Sequence, residues 1–202
     1  PPQLDGRLDD PAWAGTTQAA LPFTRTVIRL RQDAGNLYVS ARRPAIITSK
    51  GDLEPWISKT TGEDAAVWLD DAWEVFFSDG RNERVLHFAV SASGARYDAL
   101  ASGTTREDRG WNGMWRSAVS ADTNGFAVEL AIPWKTFADA GLDSKSIAFN
   151  AQMCQQSLSN ELPSKLMWAD RMQPELSRSR GIPESLLSLG PLGRERCANF
   201  TA

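Results

Sequence analysis

The chain has 202 residues, which is long enough to bury a sizeable hydrophobic core without help from disulfides or metals. Its 22 basic and 25 acidic residues give a net charge of −3, and neither sign clusters into a tail, which argues against nucleic acid and membrane surfaces as partners. No apolar run approaches the length of a membrane span, and the opening residues PPQLDG lack a signal-peptide pattern, so we expect an exported form to have lost its signal already.

Short stretches with apolar residues at every second position follow one another along the chain, and this period is typical of strands with one buried face. TVIRLR at 26–31 and NLYVSA at 36–41 predict a pair of strands joined across Gln32 to Gly35. Later stretches predict alternating inward and outward side chains. The predicted inward set is Trp73, Val75, Phe77, Leu86, Phe88, Val90, Phe126, Val128, Leu130, Ile132, Phe149, Ala151 and Met153.

A helical period is confined to WKTFADAG, where Pro133 ends the preceding strand and Gly141 can close the helix in a left-handed conformation. Strands separated by short turns, with one short helix, favour an antiparallel β-sandwich over alternating strands and helices. No linker or internal repeat divides the sequence. We therefore predict an all-β fold in a single domain that spans residues 1–202.

Six short segments form an ordered series: LDGRLDDPAW (4–13), NLYVSAR (36–42), VWLDDAWEVFF (67–77), SASGARYDA (91–99), GFAVELAIPW (125–134) and FNAQM (149–153). In this order they resemble carbohydrate-binding module family 9 and its DOMON-like relatives, from residue 4 to about residue 190. The resemblance implies an immunoglobulin- or jelly-roll-like β-sandwich with a binding face on one sheet. It also implies the noncatalytic sugar-binding role of the founding members.

The resemblance points to specific ligand-binding residues. Trp68 and Glu74 reproduce the six-residue spacing between a stacking ring and a strand glutamate in sugar-binding members. A flat indole suits the apolar face of a sugar, whereas carboxylates and amides bind its hydroxyls. Gln152 matches a glutamine that the family uses on its FNxQ strand, and its outward parity agrees. Asn150 shares that outward face.

Other positions extend or alter this site. Arg180 falls where the second ring of the family's sugar slot is expected, and an arginine suits an anionic group such as a uronic acid as well as a sugar face. Ala89 stands where sugar-binding members can carry a strand arginine. His87, the single histidine, shares the outward face, and Trp111 in a glycine-flanked loop could extend the site.

Several of these residues also have purely structural interpretations. Trp68 could pack over the end of the sandwich, and Glu74 could form an ion pair with an arginine. Asp70 and Asp71 could be calcium ligands, since some family members bind calcium, or a solvated turn before a strand. The sequence leaves these alternatives open.

Haem and disulfide chemistry are two further possibilities. Some DOMON-like relatives hold haem between a methionine and a histidine or lysine, which makes His87 a formal ligand. The methionines that could face it are Met114, Met153, Met167 and Met172. The two cysteines, Cys154 and Cys197, could pair or remain thiols, and their number does not fix the compartment.

No catalytic apparatus is visible in the sequence. HExxH, GxSxG, P-loop and dinucleotide motifs are absent, and only Glu74 and Glu129 suggest a carboxylate pair across one face. We therefore expect a carbohydrate-binding domain for a terminal or anionic sugar rather than an enzyme. We expect it to be secreted, periplasmic or at the cell surface, attached to or beside a polysaccharide-degrading enzyme. The alternatives are an interaction or accessory domain without a sugar ligand, and a haem-binding electron-transfer domain.

Overall fold

The strands predicted from the two-residue period form two antiparallel sheets. The structure is a computed structural model, and it describes residues 1–16, 18–20, 26–48, 50–79, 84–102, 107–144, 147–154, 156, 165–167 and 187–188. Sheet I has the strand order β1 (Gln18–Ala20), β2 (Val27–Gln32), β3 (Asn36–Pro44), β8 (Gly125–Pro133) and β7 (Arg116–Asp122). The helix α1 (Trp134–Asp139) follows β8, and Gly141 behind it has a φ of 75°, as predicted.

Sheet II carries the outer face on which the predicted site residues lie. Its order is β10 (Lys165–Met167), β9 (Ala148–Cys154), β4 (Ala72–Ser78), β5 (Arg84–Ser91) and β6 (Arg96–Ser102). The two-residue strand β11 (Leu187–Ser188) also pairs with β9. Within the described ranges, no helix is long and apolar enough to cross a lipid bilayer. The prediction of one domain over residues 1–202 stays a prediction, because several stretches after residue 154 lie outside those ranges.

The core between the sheets consists of the side chains that the alternation predicted to face inward. All thirteen belong to one buried apolar cluster, in which Phe77 is central. Its ring centroid lies 5.1 Å from that of Phe137, 5.3 Å from that of Phe149 and 6.2 Å from that of Phe88. Because these contacts join α1 and three strands of sheet II, the predicted parity of the central strands is confirmed.

The first residues of the chain cover the outer face of sheet I and are held there by Glu129. The Oε1 atom of Glu129 accepts a hydrogen bond from Trp13 Nε1 at 2.8 Å, and Oε2 accepts from the backbone N–H groups of Asp5 and Gly6 at 3.0 and 2.9 Å. Gly6 has a φ of 79°, and a Cβ atom there would lie 2.6 Å from the carbonyl group of Val119. Only glycine therefore lets this segment lie directly on β7.

The position of Glu129 shows that the suggested carboxylate pair with Glu74 is wrong. Both side chains point outward, but Glu129 is on β8 of sheet I and Glu74 is on β4 of sheet II. The whole apolar core separates them, so the two carboxylates do not share one face in this fold.

Glu129→Ala is expected to lower the free energy of unfolding by about 3 kcal/mol or more, because two buried N–H donors and one part-buried N–H donor would lose their acceptor. Urea denaturation monitored by tryptophan fluorescence measures this change. The matched control is Glu63→Ala: Glu63 is 72% exposed in its ion pair with Arg96, so its loss should cost under about 1 kcal/mol. Equal effects of the two substitutions would contradict the anchoring role of Glu129.

Candidate functional site

Two cross-strand rows on the outer face of sheet II bring predicted site residues together. In the first row Gln152 of β9 lies opposite Glu74 of β4, which lies opposite Ala89 of β5. In the second row, one step along the strands, Phe76 of β4 lies between Asn150 and His87. Directly opposite residues in antiparallel strands have neighbouring side chains, so Glu74, Gln152, Asn150 and His87 share one small area.

The centre of this area is a histidine held between two carboxylates. His87 donates from Nε2 to Glu74 Oε2 at 3.1 Å and from Nδ1 to Glu107 Oε1 at 2.8 Å. The Tyr97 hydroxyl donates to the other oxygen of Glu107 at 3.0 Å, and the Cys154 thiol donates to Glu74 Oε1. The imidazole also stacks on Phe76, with ring centroids 4.3 Å apart. We call this set of residues the histidine clamp.

The histidine clamp keeps His87 protonated at neutral pH. Burial alone would lower the pKa of His87, but the hydrogen bonds and charges of Glu107 and Glu74 outweigh burial and raise the pKa to about 9. For Glu107, burial favours a higher pKa, and its contacts with His87 reverse this and lower it. Burial and the nearby Glu107 charge raise the pKa of Tyr97, so its hydroxyl stays a donor.

Trp68 lies beside the histidine clamp in the 3₁₀ turn Val67–Leu69 that leads into β4. Its ring meets that of Tyr97 edge to face, with centroids 5.3 Å apart, and the guanidinium carbon of Arg109 lies 5.3 Å from its ring centroid. Gln156 Nε2 donates to the Trp68 carbonyl at 2.8 Å, which fixes the turn from the β9 side. Even with these contacts the indole remains partly exposed.

Two amide side chains on this face have polar atoms without a hydrogen-bond partner among the described residues. Gln152 and Asn150 are fully buried, and among the described residues neither Oε1 nor Nε2 of Gln152, nor Nδ2 of Asn150, has a partner. An unpaired polar atom away from water costs free energy. The outer face of β9 therefore offers donors and an acceptor that the described part of the chain does not use.

Of two other predicted site residues, Trp111 packs toward the core and Arg180 is not described by the structure. Trp111 packs its ring against Phe88, with centroids 6.2 Å apart, and Phe88 belongs to the inward set. The Trp111 ring is therefore turned toward the edge of the core, and its contribution to the binding site stays a prediction. Arg180, the predicted counterpart of Trp68, lies outside the described residues.

Asp70 and Asp71 serve as acceptors for backbone N–H groups. Asp71 accepts from Ile57 and from Gln156, both at 2.8 Å, and Asp70 Oδ2 accepts from Thr60 at 2.8 Å. Both side chains are buried, so the solvated-turn interpretation is wrong.

These contacts leave little of either carboxylate for a metal. Only Asp70 Oδ1 is without a partner within the described ranges, where no group of three or more acidic, histidine or cysteine side chains is arranged to hold a metal ion. Calcium needs six or more oxygens. The two aspartates fit a structural role better than a calcium site, and calcium stays a prediction.

The haem alternative finds no support in the geometry of His87. Both ring nitrogens are occupied by carboxylates, and Met153 lies in the core, where its sulfur accepts from Arg43 Nη1 at 3.2 Å. Met114 is more than half exposed in a loop, and Met172 lies outside the described residues.

Cys154 is a buried thiol that donates to Glu74. Its possible disulfide partner, Cys197, lies outside the described residues.

Sequence reasoning missed three contributors to this face. Tyr97 could have been found from strand parity. It lies directly opposite Ala89 of β5, on the outward face that Ala89 shares with His87. Glu107 and Arg109 come from the loop between β6 and β7, where no periodicity indicates which way a side chain points. Their place against His87 and Trp68 is a consequence of tertiary structure.

The family of the chain follows from its similarity to a known sequence family. The sequence model of the family described as carbohydrate family 9 binding domain-like matches residues 4–176. The chain belongs to this family. It is a noncatalytic domain of a carbohydrate-binding family and not an enzyme. A search of curated proteins found no significant match.

Solved structures that resemble this family 9 domain include two of a carbohydrate-binding module family 9 from Caldicellulosiruptor kristjanssonii. The complex with cellotriose has 16% sequence identity and a TM-score of 0.54, covering 84% of this chain and 80% of that chain. The complex with glucose has 16% identity and a TM-score of 0.56, covering 84% and 82%. At this identity the likeness concerns the fold, and the predicted β-sandwich is confirmed.

The histidine clamp predicts a loss of stability as pH rises. Because the pKa of His87 is higher in the folded protein, at about 9 against 6.5, the folded state binds the proton more tightly between these values. Stability should therefore fall from pH 6.5 to pH 9, by up to about 3 kcal/mol. Urea denaturation across this range measures the fall.

His87→Gln is the matched control for this titration, since the chain contains no other histidine. The difference in unfolding free energy between wild type and variant should shrink steadily as pH rises through the window. Parallel pH profiles for the two proteins would contradict the raised pKa of His87.

Proposed function

We propose that this family 9 domain binds a carbohydrate at the outer face of sheet II, with Trp68 as the stacking surface. Glu74, Gln152, Asn150 and His87 form the polar area beside it. The ligand is a terminal sugar residue, neutral or anionic, of a polysaccharide or oligosaccharide. The complexes of the Caldicellulosiruptor kristjanssonii module with cellotriose and glucose support the class of ligand.

The observation that carries this proposal is the set of amide atoms of Gln152 and Asn150, beside Glu74, that have no partner among the described residues. Three buried polar atoms of two neighbouring amides lack partners among the described residues, next to a carboxylate that accepts from His87. A sugar carries hydroxyls that both donate and accept, so one sugar ring can satisfy amide and carboxylate groups at once. An apolar ligand would leave these atoms unpaired at a cost in free energy.

The burial of the site supports recognition of a chain end. Glu74 and His87 are 4% and 6% exposed, and Gln152 and Asn150 are fully buried, whereas Trp68 alone among the five is partly exposed. An internal segment of a polysaccharide needs a groove that is open at both ends. Buried polar groups next to a partly exposed ring suit a single terminal residue that enters beside the indole.

We also propose the compartment in which the domain acts and the kind of protein beside it. Many insoluble and polymeric carbohydrates lie outside cells, so we place the domain in a secreted, periplasmic or cell-surface protein. A noncatalytic sugar-binding domain acts by holding something close to its ligand, and a polysaccharide-degrading enzyme, in the same chain or beside it, fits that role.

An accessory domain without a sugar ligand is the second candidate function. Leu69 follows Trp68 in the same turn and is 64% exposed, so the indole has an apolar neighbour on the surface. Such a pair suits contact with another protein. In that case Trp68 would be buried against the partner, and sugars would not affect its fluorescence.

Calorimetric titration with glucose, cello-oligosaccharides, other neutral sugars and uronic acids tests the proposal. Trp68→Ala should abolish most of the affinity, and Gln152→Ala should weaken binding by about tenfold, which corresponds to one lost hydrogen-bonding side chain. Trp134→Ala is the matched control, because Trp134 is also partly buried but donates its indole N–H to Asp33 beside sheet I.

Two results would contradict the proposal. One is the absence of binding to every sugar of the panel by a folded wild-type domain. The other is an affinity that Trp68→Ala leaves unchanged, because stacking on this ring is the central contact.

A further inference from the structure

The loop between β6 and β7 contacts both halves of the proposed sugar site. Glu107 holds His87, which in turn holds Glu74, and Arg109, two residues later, places its guanidinium against Trp68. A single short stretch of chain therefore lies against both the stacking ring and the carboxylate. The side chains of this loop are in a position to decide which sugar the site accepts.

Arg109 forms no direct ion pair with a carboxylate of the described residues. Its side chain is exposed. Glu107 turns both of its oxygens to His87 and Tyr97, and Asp108 accepts a hydrogen bond from the Gly110 N–H. The guanidinium instead meets the Trp68 ring and the Tyr97 hydroxyl oxygen.

The distance between Arg109 and Trp68 excludes one role for the guanidinium. A sugar ring between two flat groups needs about 7 to 8 Å between them, which is two van der Waals contacts of 3.5 to 4 Å. The guanidinium carbon lies 5.3 Å from the indole centroid, so no sugar ring fits between the two groups. Arg109 is therefore not the second wall of a stacking slot. With its five N–H donors, the guanidinium instead suits a hydrogen-bond acceptor at the edge of the sugar.

We propose that Arg109 makes the site selective for a terminal sugar that carries a carboxylate, such as a uronic acid. The cation–π contact with Trp68 holds the guanidinium plane in place, so little freedom is lost when a carboxylate binds its fork of N–H groups. Glu74, Gln152 and Asn150 bind the hydroxyls of the same sugar. This inference rests on the proposed function and names its substrate class.

Calorimetry with matched pairs of methyl glycosides tests this inference. Each pair differs only at C6: glucoside and glucuronide, galactoside and galacturonide, mannoside and mannuronide. In the pair that binds best, the uronate should bind about tenfold or more tightly than the neutral sugar, as expected for a charge-assisted bidentate contact. The preference should decrease with added salt, while neutral sugar binding should not.

Variants of Arg109 show which residue is responsible. Arg109→Gln should remove the preference for the uronate, because the charged contact with its carboxylate is lost. Arg109→Lys should keep part of the preference, since it retains the charge and loses the planar fork. Arg42→Gln is the matched control, because Arg42 is an exposed arginine on sheet I, and it should change neither affinity.

The outcomes separate this inference from the proposed function. Equal or tighter binding of the neutral sugar by the wild type, or a uronate preference that survives in Arg109→Gln, would overturn the role of Arg109 and leave carbohydrate binding intact. The absence of binding to all six glycosides would overturn the proposed function, and the selectivity with it. A preference lost equally in Arg42→Gln would assign it to net charge and also overturn the inference.

Discussion

The burial of β4 on both of its faces is the constraint on which the rest of this structure depends. All seven residues from Ala72 to Ser78 are buried, so the strand cannot leave its outward side chains in water. On the inner side the solution is apolar packing around Phe77. On the outer side a carboxylate at position 74 must find compensating charge inside the protein, and His87 of the neighbouring strand provides it.

That compensation has consequences beyond sheet II. A histidinium between Glu74 and Glu107 ties the loop after β6 to the centre of the sheet, and Tyr97 completes the connection. Because the same loop carries Arg109, the interactions that stabilise the buried charges also place a cation against Trp68. Stability and the proposed recognition thus depend on one group of residues, and a change in the histidine clamp should affect both.

Much of the fold was predictable from sequence because strand parity is a local property. Trp73, Val75 and Phe77 alternate with Ala72, Glu74 and Phe76, and hydrophobic side chains in that order specify which face is the core. The ordered series of segments that resemble family 9 predicted the β-sandwich and the placement of Trp68, Glu74 and Gln152 in one binding site. The proximity of these residues then followed from register, since Glu74 and Gln152 lie directly opposite each other.

The sequence could not predict where loop side chains point. Trp111 was expected at the site and packs against the core, and Glu107 and Arg109 were not expected there and contact His87 and Trp68. Asp70 and Asp71 resembled a wet acidic turn and are buried acceptors of backbone N–H groups. In each case the direction of the side chain depends on which segments meet in three dimensions. The local hydrophobic pattern contains no information about those contacts.

Carbohydrate binding on the outer face of sheet II is the central claim, and a nuclear magnetic resonance titration of the labelled domain tests it most directly. The indole N–H signal of Trp68 and the side-chain amide signals of Gln152 and Asn150 should shift together as a binding sugar is added. The indole signals of Trp13 and Trp115, which donate to Glu129 and Asp98 inside the protein, should stay in place. Shifts confined to sheet I, or no shifts with any sugar, would contradict the account.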